Sequence, residues 1–536
     1  MKNKTSVIIA PILFAIVLVL GIFIGKLMNS PSNDNKFVVY PKVDKIHAVL
    51  NYINQEYVDT VDENALIEDA IPELLKQLDP HSVYIPAKDM EAVNEPIQGK
   101  FDGIGIMFNI QNDTVMVINT IHGGPSEKIG VMAGDRIVYV DDSLFAGIKV
   151  TNNMVMKSLK GKSGTKVKIK VKRNGFDELL SFTIKRDKIP IKSVDVAYLI
   201  ADKTAYIKIS KFAMTTYGEF KKAINQYKDK GVNSWIIDLR GNGGGIMQAA
   251  VQIADEFLEK GNLIVYTKGR SRSREDIIAT KNGLCKQDNV VVLLDEWSAS
   301  ASEILAGALQ DNDRSNIVGR RSFGKGLVQE PIFFPDGSGL RLTIARYYTP
   351  TGRCIQKDYG ENLTDYYMDI SNRYLHGEFA EKDSIHFVDS LKFETPEGKI
   401  VYGGGGIMPD YFVPVDTLGY SEYFRKIVAK GLIYKFSFKY TDKHREKLLE
   451  FKSYNDLNKY LIKEQIVKQF VDYTKQEKIE FDKTDFEISK NRIENFLLSY
   501  INRNVLDDDG FYPTMLEQDV TVKKAKEVIE SMKSKN

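Results

Sequence analysis

Two segments of the chain combine residue types that could carry out nucleophilic catalysis. Ser300 follows an apolar run, residues 290–294, and precedes a stretch whose apolar residues recur at helical spacing. A serine at such a strand-to-helix turn lies beside free helix N–H groups, which can stabilise a developing oxyanion. Lys325 lies between two glycines in the segment GRRSFGKG, residues 319–326, and burial would favour its neutral amine, which can act as a base. Gln329, four residues further on, could orient that amine.

The same residues also allow plainer interpretations. A serine at a helix start is usually an N-cap, and the alternating serines 298, 300 and 302 do not identify a nucleophile by themselves. None of the six histidines lies in a glycine-rich turn near this helix and no G-x-S-x-G elbow occurs, so a Ser-His-Asp triad is unsupported, although distance in sequence does not exclude it. The Lys325 segment approaches a phosphate-binding loop, but Gly326 replaces the hydroxyl residue that would bind magnesium.

A glycine cluster forms a third candidate element. The segment DLRGNGGG, residues 238–245, follows a strand-like run and opens a helical one. Its spacing matches a dinucleotide fingerprint poorly. Free N–H groups in this turn would suit an oxyanion hole, and a simple tight turn fits equally well.

Composition gives the broad class of protein. The chain has 536 residues, long enough for two to four domains, and Lys plus Arg total 74 against 72 for Asp plus Glu. The formal net charge of +2 does not indicate a surface that binds nucleic acid. Two cysteines exclude a disulfide framework.

An uncharged run, residues 7–25, is about long enough as a helix to span a hydrocarbon core. Lys2 and Lys4 precede the run, so the positive-inside tendency places the N-terminus in the cytoplasm. We therefore expect a single-pass inner-membrane anchor through residues 7–25, with the rest of the chain in the cell envelope on the extracytoplasmic, periplasmic side. A cleaved signal peptide fits the same features, but no A-x-A-like site follows the run.

Hydrophobic patterning divides the remainder into a multidomain α/β protein. Alternating short strands indicate a β-rich module, and β-branched runs that alternate with helical ones indicate a layered α/β core. A Lys- and Glu-rich stretch with helical periodicity follows. The predicted parts are an anchor or signal segment, a helical N-terminal region, the β-rich module, the core and a helical accessory domain, at residues 1–30, 31–97, 98–187, 188–416 and 417–536.

Seven segments in order resemble the carboxyl-terminal processing peptidases, also called tail-specific proteases. They include LLKQLDPHSVYIP at 74–86, DLRGNGGG at 238–245, SASASEILAGALQD at 298–311 and VGRRSFGKGLVQ at 318–329. The resemblance implies a crotonase-like or ClpP-like peptidase core, with Ser300 as nucleophile, Lys325 as base and Gln329 positioning the amine. It places oxyanion donors at the N–H groups of Ala301 and Gly244, and it implies an acyl-enzyme mechanism without metal or cofactor.

The β-rich module, residues 98–187, resembles a PDZ domain. Gly103, Ile104, Gly105 and Ile106 correspond to the loop that receives a terminal carboxylate, and an extended peptide would add to the sheet edge. The resemblance thus implies a serine endopeptidase that cleaves extracytoplasmic proteins at or near their C-termini, with the tails captured by the PDZ domain. It also suggests that tail binding selects the active arrangement.

Two alternatives and one additional role remain beside this interpretation. An envelope PDZ scaffold would bind protein tails without cutting them, and a catalytically dead homologue would keep the fold alone. The helical region 417–536 is a candidate surface for an adaptor or for a second copy of the chain, which is compatible with the peptidase hypothesis.

Overall fold

The computed structural model describes residues 19–21, 45–360, 363–385 and 388–534. The chain divides into two units, residues 1–70 and residues 71–536. In the first unit, helix α1 spans Lys45–Glu56, and its Asn54 donates a hydrogen bond of 2.6 Å to Glu63. Glu63 begins α2, Glu63–Leu75.

A β-rich module follows strand β1 (Val83–Ile85) and helix α3 (Ala87–Gln98). Strands β3, β4, β5, β7 and β8 form an antiparallel sheet in that order, β6 pairs with β5, and β2 pairs with β9. In β7, valine and isoleucine are buried and alternate with lysines, because successive side chains of a strand point to opposite faces. The elements are β2 Lys100–Gly103, β3 Ile106–Gln111, β4 Thr114–Thr120, α4 Pro125–Lys128, β5 Arg136–Val140, β6 Ser143–Leu144, α5 Asn152–Leu159, β7 Lys166–Lys172, β8 Leu180–Lys185 and β9 Asp187–Pro190.

The central sheet of the core has six strands in the order β10-β11-β12-β15-β16-β21. All neighbouring pairs except β10 with β11 are parallel. The middle strands β12 and β15 are buried along almost their whole length, as expected for parallel strands that are covered on both faces. The elements are β10 Val194–Ala201, β11 Thr204–Ile209, α6 Thr216–Lys228, β12 Ser234–Asp238, α7 Met247–Asp255, β13 Leu263–Lys268, β14 Glu275–Ile278, β15 Asn289–Leu294, α8 Ala301–Asp311, β16 Asn316–Gly319, β17 Leu327–Phe333, β18 Gly339–Tyr348 and β21 Tyr411–Phe412.

A second sheet joins β1, β18, β13 and β14 in that order, with β17 paired to β18. Strand β1 pairs with β18, and Val83 lies opposite Arg341. The segment of β1, which precedes the β-rich module in the chain, is therefore part of the core. Between β18 and β21 lie α9 (Leu363–Leu375) and a hairpin of β19 (Lys392–Glu394) and β20 (Ile400–Tyr402).

Between residues 417 and 534, the described part of the chain after the core, there are eight helices. Most of them pack around a cluster of their own that includes Phe436, Phe470 and Leu497. The last helix behaves differently, because its Val522 and Val528 pack with Val291 of β15 on the central sheet. The helices are α10 Glu422–Ala429, α11 Leu432–Lys443, α12 Arg445–Leu448, α13 Tyr454–Lys463, α14 Ile466–Gln476, α15 Lys483–Leu506, α16 Asp508–Met515 and α17 Val520–Lys533.

The predicted fold class is confirmed: a layered α/β core, an inserted β-rich module and a helical C-terminal region are all present. The residue limits assigned to the five predicted parts stay a prediction.

The prediction of a single-pass inner-membrane anchor, and of the periplasmic placement that depended on it, needs correction. No helix within the described ranges is long and apolar enough to cross a membrane. The longest of them, α15, has 24 residues but carries acidic and basic side chains along its length, which a hydrocarbon core disfavours. The predicted span itself, residues 7–25, lies outside the described residues except for 19–21.

Candidate active site

Ser300 lies at the turn between the buried strand β15 and the buried helix α8. Its φ of 56° and ψ of −113° differ from the extended conformation of an ordinary N-cap. A positive φ is costly for a residue with a Cβ, and such strain is found at sharp turns that expose a nucleophile. Ser300 still forms a capping box with Glu303, so its positive φ is the feature that distinguishes it from an ordinary N-cap.

Lys325 is held close to Gln329 by the short segment that leads into β17. Lys325 Nζ lies 3.1 Å from Gln329 Oε1, and Gln329 Nε2 donates to the carbonyl of His81. Burial lowers the pKa of Lys325, and the nearby charge of Arg341 lowers it further, whereas Asp79 raises it. The amine is therefore easier to deprotonate than an exposed lysine.

Glu303 connects the two segments, and sequence reasoning did not identify it. Its buried carboxylate accepts the backbone N–H groups of Ser300 (2.7 Å), Gly324 (2.7 Å) and Lys325 (2.9 Å) and the hydroxyl of Ser322 (2.6 Å). Burial raises the pKa of Glu303 to about 7, against these four hydrogen bonds, which favour the carboxylate. The S-x-x-E spacing of a capping box was the available signal.

The glycine loop after β12 approaches the nucleophile turn closely. A Cβ on Gly244 would lie 2.7 Å from Ser300 Cβ and 2.9 Å from Ala301 N, and the φ of Gly244 is 97°, so glycine is required there. The Gly244 N–H donates to Asn242 Oδ1 at 2.9 Å. Asn242 in turn accepts the Ala299 N–H through its carbonyl at 3.0 Å, which fixes the loop to the turn.

One cavity of about 820 Å³ brings most of the predicted site together. Ser300, Lys325, Gln329 and Gly244 all line it, and Ala301 follows Ser300 as the first residue of α8. Tyr347 also lines it, and its hydroxyl lies within hydrogen-bond distance of the carbonyls of Lys325 (2.6 Å) and Ser300 (3.1 Å). Among the contacts of the described residues, no hydrogen bond joins the Ser300 hydroxyl to the Lys325 amine.

The predicted peptide-binding residues lie elsewhere, at the loop between β2 and β3. Gly103 ends β2, Ile106 begins β3, and Ile104 is buried in the core of the β-rich module. Gly105 has a φ of 73°, and a Cβ there would meet Ile189 at 3.0 Å. Within the described ranges, the N–H groups of Ile104 and Gly105 donate to no other residue.

His81 contacts the segment that carries Lys325 and Gln329. Its ring nitrogen lies 2.6 Å from the hydroxyl of Tyr366, and its carbonyl accepts Gln329. Burial, with a contribution from the charge of Lys325, lowers the pKa of His81 to about 4. No group of three or more His, Cys, Asp or Glu side chains in the described part of the chain is arranged to hold a metal ion.

Comparison with protein families matches four parts of the chain. Peptidase family S41 matches residues 203–362, and a PDZ domain matches residues 103–185. The N-terminal domain of the activating protease CtpB matches residues 26–89, and a family of unknown function matches residues 423–507.

Two carboxy-terminal processing proteases agree with these matches. The carboxy-terminal-processing protease of Bartonella bacilliformis is 35% identical over 350 residues, which cover 64% of this chain and 80% of that protein. The carboxy-terminal processing protease CtpA of Bacillus subtilis is 32% identical, with coverage of 63% and 73%. Among solved structures, a photosystem II D1 C-terminal processing protease is 26% identical, covers 68% of this chain and 87% of its own, and has a TM-score of 0.35.

These matches define a serine-type peptidase with a PDZ domain. The chain belongs to the family of carboxy-terminal processing proteases, and the predicted family is confirmed.

Proposed function

We propose that the chain is a serine endopeptidase that cleaves proteins at or near their C-termini, with Ser300 as nucleophile and Lys325 as base. The observation that carries this proposal is the single cavity that gathers Ser300, Lys325, Gln329 and the glycine loop at Gly244. Family membership supports the reaction class, and the lowered pKa of Lys325 supports its role as a base.

The chemistry follows from these groups. The neutral amine of Lys325 accepts the proton of Ser300 as Oγ bonds to the substrate carbonyl carbon. Collapse of the tetrahedral intermediate breaks the C–N bond, and the Lys325 ammonium gives its proton to the leaving amine. Water then attacks the acyl carbon while the Lys325 amine accepts its proton. Collapse of this second tetrahedral intermediate breaks the ester C–O bond, and the Lys325 ammonium returns the proton to Ser300 Oγ as the acid product leaves. Gln329 holds the amine through its Oε1 throughout.

The oxyanion would lie between the nucleophile turn and the glycine loop. The N–H of Ala301, at the first position of α8, is one donor, and the helix N-terminus adds its positive dipole end. Gly244 as the second donor would exchange its Asn242 partner for the substrate oxygen. Gly243 lines the same cavity, and its N–H donates to no other described residue, so it can share this role.

The PDZ domain would capture the substrate tail. The N–H groups of Ile104 and Gly105, which donate to no other described residue, are suited to a terminal carboxylate, and Gly103 and Ile106 lie on either side of them. Strand β3 is an edge of its sheet, so an extended tail can add beside it. Tail binding would then favour the arrangement in which the Ser300 hydroxyl meets the Lys325 amine.

Degradation of an unstructured protein with an apolar C-terminal tail tests the proposal. Ser300→Ala and Lys325→Ala should each abolish cleavage. The matched controls are Lys281→Ala, an exposed lysine, and Ser315→Ala, a buried serine whose hydroxyl has no partner among the described residues. If Ser300→Ala degrades the substrate as the wild type does, the proposed mechanism is wrong, and binding without cleavage by the wild type would favour a scaffold.

A further inference from the structure

A cluster of four charged side chains lies at the start of the glycine loop, residues 238–245. The Arg240 guanidinium donates to Asp238 at 2.6 Å through Nη2 and to Asp519 at 2.9 and 3.1 Å through Nη1. Lys208 is the second cation, 3.3 Å from Asp238. Two carboxylates thus balance two cations, and the Asp238 side chain is only 1% exposed.

Asp519 comes from the opposite end of the chain. It is the N-cap of α17, where Oδ1 accepts the N–H of Val522 at 2.9 Å. Helix α17 packs through Val522 and Val528 against Val291 of the central sheet. The carboxylate is therefore held by its own helix while it binds Arg240, and Asp519 lies outside all four family matches.

The two residues that follow Arg240 are hydrogen-bonded to the turn around the nucleophile. The next residue, Gly241, donates its N–H to Asp295 at 2.9 Å. Asn242 then accepts the N–H of Ala299 at 3.0 Å and the hydroxyl of Ser302 at 2.9 Å, on either side of Ser300. A displacement of Arg240 would be passed to the loop that borders the oxyanion position.

The two cations of the cluster need the carboxylate of Asp519 for charge balance. The Arg240 side chain is 17% exposed and that of Asp519 is 22% exposed, so water screens this pair only partly. Burial opposes the charge of Arg240, but Asp238 and Asp519 together hold its pKa well above the ordinary arginine value. Without the Asp519 charge, Arg240 and Lys208 would share one carboxylate.

We propose that Asp519 is a positioning residue for the peptidase reaction: it fixes Arg240, and through Arg240 the glycine loop that borders the oxyanion. The helical C-terminal region then supplies part of the active-site scaffold. This inference rests on the proposed function, because the loop matters in this way only if Ser300 is the nucleophile.

Asp519→Asn separates the two roles of the side chain, because asparagine is an equally good N-cap but carries no charge for Arg240. We expect kcat to fall roughly tenfold or more with KM within twofold, since misplaced oxyanion donors act mainly in the transition state. Asp519→Glu keeps the charge and should recover most of kcat. The substrate is the tailed unstructured protein used for Ser300→Ala.

Asp482→Asn is the matched control, because Asp482 is an exposed N-cap of α15 that accepts the Asp485 N–H at 2.7 Å. The inference is overturned if Asp519→Asn has a kcat within twofold of this control. It is also overturned if Asp519→Glu is as inactive as Asp519→Asn and both lower the melting temperature alike, which would indicate a structural role only. Failure of the proposed function is a different result, cleavage that persists in Ser300→Ala.

Discussion

The backbone N–H of Ser300 donates to the carboxylate of Glu303 at 2.7 Å. The same carboxylate oxygen accepts the backbone N–H of Lys325 at 2.9 Å. One buried side chain therefore sets the spacing between the nucleophile turn and the segment that carries the proposed base.

Glu303→Gln should inactivate the enzyme at a moderate cost in stability. The amide replaces one accepting oxygen by a donor, so buried N–H or O–H groups around residue 303 lose their acceptor, at about 1–3 kcal/mol. We expect kcat to fall by roughly a hundredfold, because the Ser300 and Lys325 segments lose their common anchor. Steady-state kinetics and thermal unfolding measure the two effects.

Glu256→Gln is the matched control for this prediction. The Glu256 carboxylate is also buried and accepts Tyr217 at 2.7 Å, Lys221 at 2.9 Å and the N–H of Leu284 at 2.9 Å, but it does not line the cavity. The control should lose stability and keep kcat. Equal losses of kcat in both variants would show that Glu303 acts only through general stability.

Gln329→Glu should move the pH dependence of cleavage to higher pH. Cleavage needs the neutral Lys325 amine, so the rate rises with pH through the lysine pKa, which burial lowers. A carboxylate at position 329 favours the ammonium form, and the rising limb should shift by about one pH unit or more. The exposed Gln287→Glu should leave the profile of the wild type unchanged, and an unshifted limb in Gln329→Glu would argue against Lys325 as the base.

His81 should make the fold sensitive to mild acid. Its folded-state pKa is lowered to about 4, chiefly by burial, while the unfolded chain takes up the proton near 6.5. Below pH 6.5 the unfolded state therefore binds more protons, so this contribution to stability is lost progressively as pH falls from about 6.5 to about 4. In His81→Asn the melting temperature should depend less on pH over this range. Parallel curves of melting temperature against pH for the variant and the wild type would contradict the prediction.

Gly105→Ala should weaken capture of a free C-terminus. An added Cβ would lie 3.0 Å from Ile189 and 3.3 Å from Pro125, so the loop must shift. Gly147→Ala is the matched control, because Gly147 also has a positive φ, 75°, but has no atom within 4 Å of the added Cβ. Fluorescence anisotropy with a labelled apolar peptide should show a Kd raised several-fold in Gly105→Ala alone. Binding of a C-terminally amidated peptide as tight as that of the free acid would contradict the carboxylate-binding role.

Much of the architecture could be predicted because local sequence patterns indicate it. The predicted β-rich module contains the alternating strands β5 and β7, and the apolar run 290–294 is β15 with one residue added. The segment of Lys325 leads into strand β17 and not into a helix, which also disfavours a phosphate loop. Burial on one or both faces of a strand sets these patterns, so they are visible without a tertiary structure.

The parts that could not be predicted depend on distant contacts. Asp519 and Arg240 are 279 residues apart, and neither spacing nor periodicity connects them. Ser300 adopts its positive φ where the glycine loop comes close to the turn, and a serine has no sequence signal for this conformation. The β1 pairing with β18 likewise joins residues on both sides of the β-rich module, which hid the contribution of residues 83–85 to the core.

Labelling with a fluorophosphonate, followed by peptide mapping, tests whether Ser300 is a nucleophile that Lys325 activates. We expect one adduct, on Ser300, whose rate of formation rises with pH and which is lost in Lys325→Ala. An adduct on a different residue, or Ser300 labelling that is undiminished in Lys325→Ala, would contradict it.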